Sequence, residues 1–128
     1  MLKIIVFGNE KGGSGKTTVA MHLMIYLIQK KNKVGILDLD LRQLSFLAYI
    51  KNRAKFIEKN GVNLTMPETC ELLSSTNDSR KIAQNEDYKA LNKAVDNFRK
   101  KKCDYLLIDC PGANTNFTRS AHEIANLL

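Results

Sequence analysis

A glycine-rich segment near the amino terminus has the residue types and the spacing to bind phosphate. Residues 9–18 read Asn-Glu-Lys-Gly-Gly-Ser-Gly-Lys-Thr-Thr. Their last part matches the P-loop pattern G-x-x-x-x-G-K-[ST], except that Glu10 replaces the first glycine. Glycines let the backbone approach phosphate oxygens closely, and free N–H groups at the start of a helix favour an anion. The segment therefore predicts a nucleotide-binding loop; the alternative is a glycine-rich turn without a ligand.

The side chains of this loop have separate expected roles. Lys16 would place a positive charge beside the β- and γ-phosphates, and the Thr17 hydroxyl would ligate Mg²⁺. The residues expected to hold the phosphates are Gly12, Gly13, Ser14, Gly15, Lys16, Thr17 and Thr18. The expected ligand is therefore a nucleotide with its magnesium ion.

Two apolar runs farther along the chain end in aspartates. Residues 33–37 lead into Asp38-Leu39-Asp40, and residues 105–108 lead into Asp109-Cys110-Pro111-Gly112. Residues two apart on a strand point to the same side, and doubly wound sheets bind ligands at the carboxyl ends of their strands. These aspartates are therefore candidate functional groups. Two alternatives stay open: Asp40 could cap the next helix, and 109–112 could be a plain Pro-Gly turn after a buried strand.

Several of these segments resemble one family of ATPases. Residues 11–17, Lys-Gly-Gly-Ser-Gly-Lys-Thr, resemble the deviant Walker A motif of the MinD/ParA ATPases, and residues 109–112 resemble their Walker B-like and switch II pattern. Residues 38–43, Asp-Leu-Asp-Leu-Arg-Gln, and the segment 114–128 most resemble the MipZ branch of that family. The similarity covers most of the chain and is weak from about residue 61 to residue 100.

This resemblance implies an ATPase that uses ATP and Mg²⁺ to switch between monomer and dimer. Lys11 would reach the phosphates bound by the other subunit, in the manner of an arginine finger; a solvated loop lysine is the simpler alternative. Asp40 would orient the attacking water, and Asp38 would lie near the magnesium shell. Asp109 would hold Mg²⁺ through water, and the Gly112 amide would sense the γ-phosphate. The catalytic set implied in this way is Lys11, Lys16 and Asp40, and the metal set is Thr17, Asp38 and Asp109.

The resemblance also implies a cellular role. It indicates a regulator of division-site placement linked to chromosome segregation, located in the cytoplasm and associated with the nucleoid or a cell pole. The implied partners are a second copy of the chain, ParB-like proteins, division-ring (FtsZ-like) proteins and non-specific DNA. Two alternatives remain open: a ParA-type ATPase that partitions chromosomes or plasmids, and an inactive truncated remnant of such an ATPase.

The elements that would position these residues form an α/β fold of the doubly wound P-loop type, with a mainly parallel sheet and helices on both faces. Strands are expected at 2–7, 33–40 and 105–110, a loop at 61–69, and helices from Thr17, over 45–59 and over 87–101. The apolar residues expected on the buried faces of the three helices are Val19, Ala20, Leu23, Met24 and Leu27; Phe46, Leu47, Ile50, Ala54 and Ile57; and Tyr88, Leu91, Val95 and Phe98. Residues 77–86 are polar and expected to be exposed, and another helix is expected to begin near Ser120.

Length and composition set the broad class. The chain has 128 residues, enough for one domain. Residues 1–128 are expected to be the N-terminal part of a P-loop ATPase domain, truncated after the third strand and without a second domain. Apolar stretches are far shorter than the ~20 residues that span a bilayer, and Met1 leads directly into the first strand, so no signal peptide is expected. Three cysteines without metal-type spacing indicate reduced thiols in a cytosolic protein, with Cys110 a small buried residue.

The chain has a formal net charge of +7, and its lysines cluster in three segments, at 30–33, 51–59 and 100–102. The first and the last are expected at helix C-termini, where cations complement the helix dipole. Contact with nucleic acid is the alternative use for such charges.

Overall fold

The protein is an alternating α/β chain. The computed structural model describes residues 1–7, 16–39, 45–61, 65–70, 78–110, 121, 123 and 124, with the backbone alone at 16–18 and 45–47. The elements are, in chain order, β1 (Lys3–Phe7), α1 (Lys16–Gln29), β2 (Val34–Asp38), α2 (Ser45–Asn60), β3 (Glu68–Cys70), α3 (Arg80–Lys100) and β4 (Tyr105–Asp109). The strands form a four-stranded sheet in the order β1-β4-β2-β3, and every neighbouring pair is parallel.

The sheet is buried on both faces, and successive residues of each strand serve opposite faces. In β4, Leu106 and Ile108 join one hydrophobic cluster with α3 residues such as Phe98. Leu107, between them, joins a second cluster with α1 and α2 residues such as Met24. This two-residue alternation explains why the strands read as continuous apolar runs. It confirms the expected doubly wound fold with helices on both faces.

The packing of α3 on the sheet is close at one position. Phe98 is fully buried, and a Cβ atom at Gly35 of β2 would lie 2.5 Å from its Cδ1 atom. Since real Cβ atoms do not approach a ring carbon so closely, the ring occupies the space that any other residue at position 35 would need. This contact fixes α3 against the centre of the sheet.

The prediction of a loop over 61–69 is wrong at its end, because Glu68–Cys70 is a strand. It pairs with β2 in the register Gly35↔Glu68 and Leu37↔Cys70, so the described sheet has four strands and not the expected three. A segment of three residues carries no periodic signal, and Glu has low strand propensity. The strand is stabilised instead by its ladder with β2, which local sequence does not reveal.

The boundaries and faces of the helices also differ from expectation. α3 begins at Arg80, where the Ser79 hydroxyl accepts a hydrogen bond from the Ile82 amide, so the helix includes most of the polar segment 77–86. Its sheet-facing side includes Asp87, Leu91 and Val95, whereas Tyr88 is 45% exposed. At the first turn of the predicted helix, the buried residue is therefore Asp87 and not the expected Tyr88.

Two smaller predictions of helix burial are wrong. Val19 is exposed, because the buried side of α1 is centred on Ala20, Met24 and Leu27, and Val19 lies about 100° around the helix from Ala20. Ala54 is also exposed, at the margin of the side of α2 that carries the buried Ile50. Phe46 and Leu47 lie outside the residues whose side chains are described. The helix expected near Ser120 agrees with helical backbone at 121, 123 and 124.

α1 and α3 end with the same backbone motif. Lys31 and Lys102 have positive φ angles of 67° and 60°. After α1, the Asn32 amide donates to the Leu27 carbonyl at 3.0 Å, and after α3 the Cys103 amide donates to the Phe98 carbonyl at 3.2 Å. Both are Schellman ends, and they place the lysines at 30–33 and 100–102 at helix C-termini, as predicted.

Candidate functional site

Two aspartates end neighbouring strands side by side. Asp38 of β2 and Asp109 of β4 are register partners, and each is 2% exposed. The pairing continues beyond them, since the Leu39 amide donates to the Asp109 carbonyl at 2.8 Å and the Cys110 amide donates to the Phe7 carbonyl at 2.9 Å. The carboxyl ends of β1, β4 and β2 therefore meet at one edge, with two buried carboxylic acids between them.

Both carboxylates belong to the face of the sheet that α1 covers. Asp38 lies two residues after Ile36, and Asp109 lies two residues after Leu107; both apolar residues belong to the cluster formed with α1 and α2. Alternation along a strand directs residues two apart to the same face. The N-terminus of α1, at Lys16, follows the segment that leaves β1 in the chain.

The strand order makes this edge a candidate ligand site. α1, which follows β1, lies on one face of the sheet. Ala121 and Ile124, which follow β4, pack on the other face. β1 and β4 are neighbours, so the chain leaves the two adjacent strands toward opposite faces. Such a switch point opens a crevice at the carboxyl ends of the strands, where α/β proteins bind their ligands.

The groups at this edge suit a phosphate and a hard cation. The first turn of α1 contains no acidic residue, so nothing in that turn opposes the attraction of the helix N-terminus for an anion. Carboxylate oxygens such as those of Asp38 and Asp109 are the donors that Mg²⁺ takes from proteins. Among the residues that the structure describes, no group of three or more His, Cys, Asp and Glu side chains is assembled for a metal, so the two aspartates alone would not complete a site.

The structure describes the positions of some of the predicted site residues, and the roles of all of them stay predictions. It brings Asp38 and Asp109 together, and it places Lys16, Thr17 and Thr18 at the start of α1, where their backbone is helical. The predicted residues that lie outside the described part of the chain are Lys11, Gly12, Gly13, Ser14, Gly15, Asp40 and Gly112. Cys110 is fully buried, as expected.

One buried acid was missed by the reading of the sequence. Asp87 is 4% exposed and lies on the side of α3 that faces the sheet, opposite the face of Asp38 and Asp109. Its spacing of four residues from Leu91 and eight from Val95 is the signal that could have found it.

Burial also raises the pKa of the Cys103 thiol, which keeps this cysteine protonated and a poor nucleophile.

The structure is that of a doubly wound α/β protein with acids at the carboxyl ends of its strands, and residues 11–17 carry a P-loop-like pattern in the sequence. Within that class, the family model described as ATPase MipZ matches residues 3–128. The chain therefore belongs to the MipZ family of ATPases, within the wider MinD/ParA group that its motifs resemble.

Individual relatives agree with this family. The septum site-determining protein MinD of Synechocystis sp. is 31% identical over 125 residues, a match that covers 87% of this chain and 46% of that protein. A plasmid partition protein from Borrelia burgdorferi has the same fold, with a TM-score of 0.68 at 22% identity over 98% of this chain and 62% of its own. A B. burgdorferi B31 partition protein solved with AMPPNP bound matches with a TM-score of 0.63 at 23% identity, over 98% of this chain and 60% of its own.

These matches also show how the length of the chain compares with that of its relatives. It spans about half the length of the curated relatives that it matches. Of the helices that the structure describes, none has both the length and the apolar character needed to cross a membrane.

Proposed function

We propose that this chain binds Mg·ATP at the carboxyl ends of β1, β4 and β2, and that it is part of an ATP-hydrolysing dimerisation switch of the MinD/ParA type. The observation that carries the proposal is the pair of buried, register-matched acids Asp38 and Asp109 on the face covered by α1. Family membership and the AMPPNP-bound partition protein of the same fold support a nucleotide as the ligand.

In this proposal the loop after β1 binds the phosphates. Backbone amides of the loop and of the first turn of α1 would surround the phosphate oxygens, and Lys16 would neutralise the β- and γ-phosphates. The residues proposed for this role are Gly12, Gly13, Ser14, Gly15, Lys16, Thr17 and Thr18.

A magnesium ion bound with the nucleotide would neutralise charge that develops on the phosphates during transfer. Thr17 would ligate it through its hydroxyl, and Asp109 and Asp38 would hold or orient its waters. Asp38 and Asp109 are suited to this role because both lie at the same edge of the sheet and on the same face.

Hydrolysis and dimerisation would depend on residues outside the described part of the chain. Asp40 would orient the attacking water, and the Gly112 amide would respond to loss of the γ-phosphate. Lys11 would contact the nucleotide of the partner subunit, so that two cationic loops approach each other when a triphosphate lies between them. Together with Lys16, these groups make ATP a condition for dimerisation and hydrolysis a means of ending it.

The cellular role proposed is MipZ-like control of division-site placement linked to chromosome segregation, in the cytoplasm and associated with the nucleoid or a pole. The proposed partners are a second copy, ParB-like and FtsZ-like proteins, and DNA. A partitioning ATPase is the second candidate, because the structures of similar fold include plasmid partition proteins. Co-localisation with partition sites would favour partitioning, and co-localisation with the division ring would favour the first role.

Titration of the purified chain with a fluorescent ATP analogue, with Mg²⁺ or with EDTA, tests the site. We expect Lys16→Ala to weaken binding about ten- to a hundredfold, the scale of one lost charge-assisted contact. Asp109→Asn should remove the difference between Mg²⁺ and EDTA. The matched control is Asp96→Asn, an exposed acid that pairs with Arg99 on α3, and it should bind as the unaltered chain does.

Circular dichroism on the same samples separates failure to fold from failure to bind. A folded chain that binds no analogue would overturn the proposal and favour an inactive remnant. Dimerisation is measured by light scattering after size-exclusion chromatography of the protein with ATP. Asp40→Ala should retain ATP and accumulate dimer, and an unchanged monomer would contradict the role given to Asp40.

A further inference from the structure

The two edges of the described sheet differ in length and in the side chains that they present. β3 forms one edge; it has three residues, and its Glu68 carboxylate pairs with Lys33 and Lys101. β1 forms the other edge; it has five residues and pairs with β4 alone within the described sheet. A short strand and charged side chains protect a sheet edge from pairing with a further strand. β3 has both features, whereas β1 has one charged residue, Lys3, at its amino end.

The two faces of β1 are covered unequally. Ile4 and Val6 are 2% and 1% exposed and belong to the cluster formed with α3. Ile5 and Phe7 point to the opposite face, where they pack on the cluster beneath α1 and α2 but are only partly buried. The face of β1 that lies on the α1 side of the sheet is therefore incompletely covered.

One side of α1 borders this incompletely covered face. Ile28 lines a cleft together with Glu68 of β3, so its side of the helix faces β2 and β3. Leu23 lies about 140° around the helix from Ile28, on the side toward β1, and is partly buried. Val19 and Tyr26 share the side of Leu23, from which they are four and three residues away, and they are 58% and 55% exposed.

These residues form an apolar surface beside an open strand. The residues are Ile5, Phe7, Val19, Leu23 and Tyr26, and we call them the β1 edge surface. Ile5, Phe7 and Leu23 pack on the same hydrophobic cluster, so the strand and the helix contribute to one patch. Exposed apolar patches mark sites of protein contact, and the backbone groups of an edge strand can pair with another strand. The β1 edge surface is therefore a candidate site for a protein partner that supplies a strand.

We propose that a second copy of this chain occupies the β1 edge surface, with its β1 antiparallel to the first and without any need for nucleotide. A two-fold axis perpendicular to the sheet at Ile5 would join the two four-stranded sheets into one and keep both α1 helices on the same face. This contact lies along the side of the sheet and not at the carboxyl ends of the strands. The inference therefore stands whether or not the chain binds ATP.

The side chains of β1 favour a second copy because they are complementary to themselves in one register. Lys3 lies on the face of Ile5 and Phe7, with its ammonium 5.7 Å from the centre of the Tyr105 ring. When Ile5 is opposite Ile5 of the partner subunit, Lys3 is opposite Phe7 of the partner subunit, and an ammonium beside an aromatic ring is favourable. A register with the two copies of Lys3 opposite each other would be destabilised by their like charges.

The net charge of the chain gives this dimer a distinctive dependence on salt. Each copy has a formal net charge of +7, so two copies repel each other at a distance. Because salt screens this repulsion and leaves the apolar contact in place, the dimer should be at least as tight at high salt as at low salt. A contact of the basic chain with a polyanion would weaken instead.

Sedimentation equilibrium of the purified chain in EDTA, without nucleotide, tests the proposal. We expect a reversible dimer at about 100 µM protein, since an interface of one strand and one side of a helix is at the small end of the range. Its affinity at about 500 mM salt should equal or exceed that at about 50 mM. The variant V19Q with Y26Q, which changes two exposed side chains and no charge, should weaken it at least about tenfold.

The matched control is F56Q with Y88Q. These two residues are 54% and 45% exposed and lie on α2 and α3, away from the β1 edge surface. The control removes similar apolar side chains, and we expect the affinity of the dimer to stay within about twofold of that of the unaltered chain, as for substitutions outside an interface. Circular dichroism of each variant checks that the fold is retained.

A crosslink tests the pairing of the strands directly. In a C70S background, I5C would place two thiols opposite each other across the two-fold axis, with Cβ atoms about 5 Å apart, close to the separation in a disulfide. Treatment with oxidised glutathione should therefore yield a covalent dimer. T69C in the same background places an exposed thiol on the β3 edge and should yield little.

Each of three outcomes would overturn the proposal. They are a monomer at about 100 µM protein and high salt, equal losses of affinity in the two glutamine variants, and equal crosslinking of I5C and T69C. A folded chain that stays monomeric alone would show that the β1 edge surface is left for a different polypeptide. Because the samples contain EDTA and no nucleotide, failure here leaves the proposed ATP site untouched.

Discussion

The two ends of the sheet carry charges of different kinds and use them differently. At the carboxyl end, Asp38 and Asp109 lie side by side and buried. At the amino end, Lys33 and Lys101 share Glu68 at the surface, and the Lys33 amide donates to the Asp104 carboxylate at 2.7 Å. The amino-end charges join one element to the next, whereas the carboxyl-end acids are adjacent groups of like charge.

The difference bears on which substitutions should change stability and which should change binding. Burying a charged group carries a desolvation cost, and Asp38 and Asp109 are both almost fully buried. Exposed ion pairs contribute little stability individually, but at the amino end they accompany helix caps and close packing that do. We therefore expect substitutions at the amino end to change stability, and substitutions at the carboxyl end to change binding.

The largest expected effect is a loss of stability at the amino-end half of the sheet. Gly35→Ala would place its methyl group 2.5 Å from the Phe98 Cδ1 atom. Overpacking of this kind lowers the free energy of unfolding by about 1–3 kcal/mol. Urea denaturation followed by circular dichroism measures it.

A double-mutant cycle shows whether the ring is the cause. In a Phe98→Leu background the smaller side chain leaves room for the methyl group, so adding Gly35→Ala should cost clearly less than it does alone. If the effects of the two substitutions on the free energy of unfolding are additive, the Phe98 ring does not limit position 35. The amino end of the sheet would then not owe its stability to this contact.

Long elements with a strong hydrophobic period could be predicted from the sequence, and short ones could not. The strands that became β1, β2 and β4 and the helices that became α1 and α2 were predicted within a few residues. β3 was missed because Glu68, Thr69 and Cys70 have no period of their own and pair only when β2 is in place. The early start of α3 depends on one cap, Ser79, within a polar segment that has no apolar period to mark a helix.

The candidate site was predictable residue by residue but not as an arrangement. The sequence places Asp38 and Asp109 each at the end of an apolar run. Their adjacency depends on β4 lying between β1 and β2, a long-range feature of the topology that motif spacing does not determine. Asp87 was missed for a related reason. Charged residues are rarely buried, so sequence reasoning does not assign an aspartate to the buried face of a helix even where its spacing fits that face.

The effect of intermediate size is the stabilisation of the protein by a nucleotide bound at the carboxyl end of the sheet. With Mg²⁺ and AMPPNP at ten times the dissociation constant, the free energy of unfolding should rise by about 1.4 kcal/mol, because the ligand binds the folded state. Asp38→Asn should lose most of this increase, since it removes one of the two acids proposed to serve the metal. Thermal denaturation with and without ligand measures the change.

Glu68→Gln, at the opposite end, is the control for this experiment. It removes the shared acceptor of Lys33 and Lys101 and should cost less than about 1 kcal/mol, because the pairs are at the surface. The ligand-induced increase should remain. Loss of that increase in both variants would mean that the two ends of the sheet are not separable in the way we infer.

The smallest effect concerns the caps of α1 and α3. Lys31 and Lys102 have positive φ angles, a conformation that costs a residue with a Cβ atom about 1 kcal/mol and costs glycine little. At either position we expect the glycine variant to be more stable than the alanine variant by up to about 1 kcal/mol. Both variants lack the lysine charge, so the difference isolates the backbone. At Lys89, inside α3, the order should reverse, because glycine is the poorer helix former. If the alanine variant were the more stable at all three positions, the positive φ angles at Lys31 and Lys102 would not be what limits the stability of these helix ends.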